Sequence, residues 1–129
     1  AGRRVQSLKI LRSAPDLMST SKLAGLAQEA GGLLETLRNL SEQPRSKQYD
    51  LVLLDIQAFQ EDPAVLVAKV RFLLDSISQK GVSMKLIAFG PHVHKQRLDD
   101  AVAAGVDEAV SRGELFGGFP ALLRRWLQV

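Results

Sequence analysis

The stretch that decides the fold reads Tyr49-Asp50-Leu51-Val52-Leu53-Leu54-Asp55-Ile56. Its apolar residues 51–54 follow one another without interruption between two carboxylates. A run this short predicts a strand. Because no polar residue alternates with the apolar ones, we expect a strand buried on both faces of a parallel sheet. Asp55 then falls at the carboxyl end of a central strand, the edge at which open α/β sheets bind their ligands.

Length and composition predict one globular domain. The chain has 129 residues, 46% of them hydrophobic, and we expect residues 1–129 to form a single domain. No apolar run approaches the roughly 18 residues of a membrane span, and no secretory signal pattern is present, so we expect no contact with a membrane. The chain contains no cysteine, which excludes disulfides and thiolate metal sites and fits a reducing, cytoplasmic location.

The basic residues give little support to nucleic-acid binding. The net charge is +3, and two arginine pairs, Arg3-Arg4 and Arg124-Arg125, stand near the two ends of the sequence. Aromatic residues do not interleave with these pairs, and isolated pairs of this kind usually lie on solvated faces. The sequence therefore disfavours a nucleic acid as the partner.

The first part of the chain predicts a strand and a helix, followed by a segment that stays open. Val5 to Leu11 is apolar enough for a strand, and Asp16 is suited to cap a helix over residues 17–30. Residues 33–37 fit either a short strand or one face of a helix. Residues 41–48 are polar and contain a proline, which predicts a loop or a short helix.

The second part of the chain alternates between helices and strands. Asp62 is predicted to cap a helix that starts at Pro63, and Gly117-Gly118 reads as a flexible lead into the last helix. The helix that starts at Pro63 is predicted to end at Lys80-Gly81. The other predicted elements are a strand from Met84 to Phe89, a helix from His94 to Ala104, a strand from Glu108 to Ser111 and a helix from Pro120 to Val129. This alternation predicts a parallel sheet with helices on both faces, a three-layer α/β architecture.

Two blocks of the sequence resemble the receiver domains of bacterial response regulators. Residues 49–55 look like the third receiver strand, whose final Asp accepts a phosphoryl group from a histidine kinase. Residues 103–110, Ala-Ala-Gly-Val-Asp-Glu-Ala-Val, resemble the turn that leads to the fifth receiver strand. The resemblance implies a flavodoxin-like (βα)5 fold with five parallel strands in the order 2-1-3-4-5.

The residues that carry receiver chemistry are mostly replaced. Receivers hold a divalent cation with acidic residues after the first strand, where this chain has Ala14-Pro15, with Asp16 one or two positions late. The hydroxyl residue that ends the fourth strand falls on Gly90, and the lysine that ends the fifth falls on Arg112. Only Asp55 is kept. The resemblance therefore implies a pseudo-receiver that is not phosphorylated and has no catalytic residue, metal or cofactor.

Two arrangements can replace the phosphorylation site. Asp55 and Arg112 are expected at the same sheet edge, where they can form a structural ion pair. Alternatively, Arg112 and His92, with backbone amides of Gly90 or Gly113, can bind a small anion. Residues 89–93, Phe-Gly-Pro-His-Val, also resemble a segment of a group of receiver-like bacterial proteins. The pair of histidines at 92 and 94 suits a shared metal only if the segment is extended, and we expect no metal site.

The predicted function is to bind another protein, of unknown identity, or a second copy of the chain. The expected surface comprises parts of residues 92–102, 107–112 and 120–129, with Arg124, Arg125 and Trp126 as interface candidates, because Trp and Arg dominate binding at interfaces. Alternatively, Leu122, Leu123, Trp126 and Leu127 form one apolar stripe that covers the chain's own sheet. A small-anion or nucleotide sensor and a weak phosphoacceptor receiver are the alternatives. An enzyme is disfavoured because no nucleophile and base form a recognisable pair.

Overall fold

The computed structural model describes residues 9–13, 24–29, 33–37, 49–56, 62–77 and 84–127. In chain order the elements are β1 (Lys9–Ser13), α1 (24–29), β2 (Leu33–Leu37), β3 (Leu51–Asp55), α2 (Pro63–Ile77), β4 (Lys85–Gly90), a 3-10 turn (His92–His94), α3 (Lys95–Ala104), β5 (Glu108–Ser111), α4 (Arg112–Gly117) and α5 (Phe119–Leu127). Among these residues, no helix combines the length and the apolarity that a membrane span needs.

The five strands form one parallel sheet in the order β2-β1-β3-β4-β5. The register places Asp55 of β3 beside Phe89 of β4, and Gly90 of β4 beside Ser111 of β5. The carboxyl ends of the three strands therefore meet at one edge, as parallel pairing requires. Both the order and the three-layer flavodoxin-like architecture predicted from the sequence are confirmed.

The central strand β3 divides the core into two clusters. Val52 and Leu54 pack with the buried faces of α2 and α3, whereas Leu51 and Leu53 pack with α1, α4 and α5. All five residues of β3 are buried, which confirms the prediction of a strand covered on both faces. Asp55 shares the parity of Leu51 and Leu53, so its side chain belongs to the α4 and α5 side of the sheet.

The structure decides the segments that the sequence left open before β3. Residues 33–37 are strand β2, so the helical alternative was wrong. β1 extends to Ser13, beyond the predicted end at Leu11, because the strand pairs with β2 on one side and with β3 on the other through that residue. Of the predicted helix 17–30, residues 24–29 are described and helical. Asp16 and residues 41–48 lie outside the described residues.

The helices after β3 begin and end where local chemistry directs them. The amide of Ala64 donates to Oδ1 of Asp62 at 2.9 Å, which confirms the predicted cap of α2. α3 starts at Lys95, after the 3-10 turn, and not at His94. It ends at Ala104, and the next residue, Gly105, has a φ of 120°, a conformation that glycine adopts without steric cost. The amide of Val106 then donates to the carbonyl of Ala101 at 3.2 Å, closing the helix end.

Helix α4 was not predicted from the sequence. Ser111 caps it: the Ser111 hydroxyl accepts from the amide of Glu114, and the Glu114 carboxylate accepts from the amide of Ser111, each at 3.1 Å. This reciprocal capping box starts a helix directly after β5. Gly117 is the last residue of α4, and the amide of Gly118 donates to the carbonyl of Glu114 at 2.9 Å. Describing Gly117-Gly118 as a flexible lead was therefore wrong.

A side-chain hydrogen bond links the two strands that flank β1. The hydroxyl of Tyr49, just before β3, donates to the carboxylate of Glu35 on β2 at 2.5 Å. Strand β1 lies between β2 and β3 in the sheet. Tyr49 is 2% exposed, and its ring belongs to the cluster under α2 and α3.

Candidate functional site

The candidate site lies at the carboxyl edge of the sheet and is centred on an ion pair. Arg112 Nη2 donates to Asp55 Oδ2 at 3.0 Å. The Asp55 side chain is 2% exposed, whereas 31% of the Arg112 side chain faces solvent. The structure thus brings together the two residues that the sequence placed at this edge, and a guanidinium lies against the carboxylate that receivers would phosphorylate.

Three elements position the guanidinium of Arg112. The residue is the first of α4, and the capping box at Ser111 sets the direction in which the chain leaves β5. Arg112 Cζ lies 6.0 Å from the centroid of the Phe89 ring, within the range of a cation–π interaction. Phe89 is in turn the partner of Asp55 in the β3–β4 register. The Phe89 ring and the Asp55 carboxylate therefore both contact the guanidinium of Arg112. This arrangement suits the planar guanidinium of an arginine better than the ammonium group of a lysine.

Gly90 ends β4, where a receiver has a hydroxyl residue, and an apolar side chain fills the space beside it. A Cβ placed on Gly90 would lie 3.1 Å from Ile56 Cγ1 and 3.9 Å from Leu98 Cδ2. Ile56 is fully buried and directly follows Asp55. A serine or threonine at position 90 would therefore need Ile56 to move before its hydroxyl could face the site.

A second arginine reaches this edge from α3. Arg97 Nη2 donates to the carbonyl oxygen of Ile56 at 2.8 Å. The bond connects α3 to Ile56, the residue that directly follows Asp55 at the end of β3. Sequence analysis did not single out Arg97. Its place in the first turn of α3, close after the end of β4, is the one signal that could have identified it.

The residues of the alternative anion site are positioned less favourably. His92 lies exposed on the 3-10 turn, so it and His94 do not belong to an extended segment. Gly113 is an exposed residue in the first turn of α4. In that turn the carboxylate of Glu114 accepts from the amide of Ser111, which lowers the pKa of Glu114 and keeps a negative charge there. That charge opposes the binding of an anion at the start of α4.

The receiver resemblance implies a divalent cation, and the donors that the structure describes at this sheet edge do not fit one. Positions 14 and 15 are Ala and Pro, which have no side-chain oxygen, and the Asp55 carboxylate already accepts from a guanidinium. Magnesium requires several oxygen ligands in near-octahedral geometry. Within the described ranges, no three His, Cys, Asp or Glu side chains are grouped closely enough to hold a metal ion.

The structure separates the three residues proposed for an interface. Trp126 is 4% exposed and packs in the core, and its indole Nε1 donates to Glu108 Oε1 at 3.2 Å. The indole therefore serves the chain's own core, and the expectation that Trp126 lies in a partner interface was wrong. Arg124 and Arg125 are exposed, and Arg125 also forms an ion pair with Glu108.

Comparison with solved structures identifies the fold. A two-component response regulator from Clostridium difficile is similar with a TM-score of 0.73 and 20% identity, covering 95% of this chain and 97% of that one. The receiver domain of the sensor histidine kinase PA1611 from Pseudomonas aeruginosa PAO1, with a magnesium ion in its active-site cleft, has a TM-score of 0.72 and 15% identity over 95% of this chain and 99% of that one. A response regulator receiver protein from Burkholderia phymatum has a TM-score of 0.72 and 16% identity over 95% and 97% of the two chains.

The similarity is one of three-dimensional structure. No protein-family model matches the chain, and no curated protein matches it either. TM-scores of 0.72–0.73 over 95% of the chain show a shared fold, and identities of 15–20% carry the fold without the activity. The chain therefore has the flavodoxin-like fold found in response-regulator receiver domains.

Proposed function

We propose that this domain is a pseudo-receiver, which is not phosphorylated at Asp55 and acts by binding another protein. The observation that carries the proposal is the ion pair between the buried Asp55 carboxylate and the partly exposed Arg112 guanidinium, with 3.0 Å between the bonded atoms. An attacking carboxylate oxygen must be free to approach a phosphoryl donor. Here the carboxylate is buried, and one of its oxygens accepts a hydrogen bond from a permanent cation.

The surroundings of the pair support the same proposal. Phosphoryl transfer is catalysed mainly by positioning and by neutralising charge on the phosphate oxygens, a task usually given to metal ions and hydrogen-bond donors. The donors described at this sheet edge do not fit a divalent cation, and the place of the hydroxyl residue is taken by Gly90 with Ile56 packed against it. The residues that would lower the barrier to transfer are therefore replaced.

The alternatives have less support. A small-anion or nucleotide sensor would bind its ligand beside the carboxylates of Asp55 and Glu114, both of which repel anions. A weak phosphoacceptor would have to displace Arg112 from Asp55 before it could react. Under our proposal the domain acts in the cytoplasm, is not an enzyme, and needs no cofactor. Its docking surface includes the exposed Arg124 and Arg125 on α5.

Incubation with acetyl phosphate and magnesium, followed by intact-mass spectrometry, tests the proposal. We expect no phosphoryl adduct on the native protein and none on Asp55→Asn. The variant Arg112→Ala frees the carboxylate while leaving Gly90 and Ile56 in place, and it separates the effect of the guanidinium from that of the missing hydroxyl. A stoichiometric adduct on the native protein that disappears in Asp55→Asn would contradict the pseudo-receiver proposal.

The docking surface has a separate test. Candidate partners recovered with the native protein are compared for binding to Arg124→Glu and Arg125→Glu. Charge reversal on an exposed rim should weaken association, mainly by slowing the encounter. Arg125→Glu also breaks the ion pair with Glu108 inside the domain, whereas Arg124→Glu leaves that pair intact. Arg124→Glu is therefore the more direct test of the docking surface. A partner that binds both variants as tightly as the native protein would remove α5 from the docking surface.

A further inference from the structure

Helices α4 and α5 run back across the sheet from one edge to the other. Strand β5 ends at Ser111, and α4 begins at the next residue, at the carboxyl edge of the sheet. The last turn of α5 lies at the opposite end of β5, because Trp126 Nε1 donates to the carboxylate of Glu108, the first residue of that strand. We call residues 112–127 the α4–α5 strap.

Each end of the strap is fastened by a carboxylate on a strand and an arginine on the strap. At the carboxyl edge, Arg112 donates to Asp55 of β3. At the other end, Arg125 pairs with Glu108 of β5. The Asp55 side chain is 2% exposed, whereas the side chains of Glu108 and Arg125 are 35% and 58% exposed. Because breaking a buried pair from one side costs far more than breaking an exposed one, the Asp55 pair should be the stronger fastener.

Between the two fasteners, the strap is held by a small set of buried side chains. α4 has six residues and buries Leu115, and α5 has nine residues and buries Phe119, Leu123 and Trp126. Isolated helices shorter than about 12 residues are marginal in water, so neither helix is stable away from the sheet. Short covering segments of this kind open at a smaller free energy than that of global unfolding. The buried side chains keep the strap closed in most molecules, and the ion pairs at its ends influence how often it opens.

Two backbone hydrogen bonds join α4 to α5. Gly118, the one residue between the helices, donates to the carbonyl of Glu114 at 2.9 Å and accepts from the amide of Leu122 at 3.0 Å. The helices are therefore linked closely enough to move together. We propose that α4 and α5 open from the sheet as one strap, and that the pair of Asp55 and Arg112 is the fastener that governs this opening.

An open strap exposes an apolar surface that the closed domain hides. Phe119, Leu123 and Trp126 leave the sheet together, on the same helix that carries the exposed Arg124 and Arg125. The inference goes beyond the proposed function, because opening is a property of the free domain. It can be tested without a partner, and its outcome is separate from that of the phosphorylation experiment.

Native-state hydrogen exchange, read by mass spectrometry of peptic peptides, tests the strap. We expect the amides of residues 112–127 to exchange faster than those of β3 and β4, and Arg112→Ala to accelerate them by at least about tenfold. Asp55→Asn is the milder variant and should accelerate the same amides by about fivefold or more. Arg125→Ala should accelerate them by about 1.5- to 5-fold, as expected for an exposed pair.

Arg71→Ala is the matched control. The Arg71 side chain is 39% exposed, and its Nη2 donates to the carbonyl of Gly105 at 2.5 Å, which ties α2 to the turn after α3. This tie stays intact when the strap opens. Arg71→Ala should therefore leave exchange in residues 112–127 unchanged, even where it destabilises the domain as a whole. Circular dichroism checks that each variant is folded.

Thiol labelling gives an independent readout, because the native chain contains no cysteine. Leu123 is 5% exposed, so a thiol introduced by Leu123→Cys reacts with an aromatic disulfide reagent only when the strap opens. Adding Arg112→Ala should raise its labelling rate by at least about tenfold. Exchange in residues 112–127 that is as slow as in β4, or that responds equally to Arg71→Ala and Arg112→Ala, overturns the proposal. So does a labelling rate that Arg112→Ala leaves unchanged.

Discussion

Removing the guanidinium of Arg112 should destabilise the protein more than removing any exposed cation. Arg112→Ala leaves the Asp55 carboxylate, with a side chain 2% exposed, deprived of the charge that lies 3.0 Å away. Breaking a fully buried ion pair from one side costs about 3–5 kcal/mol. Because 31% of the Arg112 side chain is exposed, water can enter where the guanidinium was, and we expect a smaller loss of about 2–3 kcal/mol.

A double-mutant cycle isolates the pair itself. Asp55→Asn removes the charge of the side chain but keeps its shape, and Arg112 can then turn toward solvent. We therefore expect Asp55→Asn to lower the free energy of unfolding by about 1–2 kcal/mol. The double variant Asp55→Asn/Arg112→Ala should recover part of the combined loss, which gives a coupling free energy of about 1–2 kcal/mol. Urea unfolding at equilibrium supplies the four free energies, provided that the m value is the same for all variants.

Arg125→Ala is the matched control for this cycle. Arg125 also pairs with a carboxylate, that of Glu108, but its side chain is 58% exposed and that of Glu108 is 35% exposed. Exposed pairs contribute about 0.2–1 kcal/mol. If Arg112→Ala costs no more than Arg125→Ala, or if the two substitutions at the Asp55 site add within about 0.5 kcal/mol, the pair is not a stabilising contact and the reasoning fails.

Three further substitutions probe the surroundings of the site. Gly90→Ala should lower the free energy of unfolding by about 1–2 kcal/mol, because its Cβ would press on buried Ile56; a stability gain in urea unfolding would show that Ile56 yields freely. Gly105→Ala should cost about 1 kcal/mol, because residue 105 has a φ of 120°, and Ala103→Gly is its comparison within α3; an unchanged melting temperature would contradict the strain. The capping-box hydrogen bonds to Ser111 lower the pKa of folded Glu114, so the stability contributed by its charge is present above the unfolded pKa and is lost as pH falls through the folded pKa. Glu114 is exposed and solvent screens its charge, so Glu114→Gln should be less stable than the native protein by only about 0.2–0.3 kcal/mol at neutral pH and equal to it in acid; a difference that persists in acid would contradict this assignment.

The sequence predicted the fold where pattern and local chemistry agree. β3 was predictable because its apolar run suits only a doubly covered strand, and the start of α2 because Asp62-Pro63 combines a cap with a residue favoured in the first helical position. α4 escaped prediction because Gly117-Gly118 reads as a flexible lead and the prediction did not consider the capping signal before it. The spacing of Ser111 and Glu114 nevertheless matches a capping box, and it would have placed the helix start.

The candidate site was predictable only in part. The carboxyl ends of parallel strands converge, so the sequence could place Asp55, Gly90 and Arg112 at one edge. It could not show that Ile56 packs against Gly90 or that Arg97 bonds the carbonyl of Ile56, since both contacts depend on how α3 lies across the sheet. The position of Trp126 was mistaken for a similar reason. Tryptophan as a residue type favours an interface, but the fold brings Glu108 of β5 close to the indole and gives it a hydrogen-bond partner inside the domain.

The hydrogen bond from Tyr49 to Glu35 has a consequence for how the sheet comes apart. Within the described sheet, β2 is an outer strand whose backbone pairs with β1. Outer strands commonly fray by themselves, at a small fraction of the free energy of global unfolding. Here, opening β2 also breaks a side-chain bond to the segment that enters the central strand. We therefore expect local opening of β2 to be coupled to the burial of the Tyr49 ring, and β2 to be better protected from fraying than its backbone pairing with β1 alone would make it.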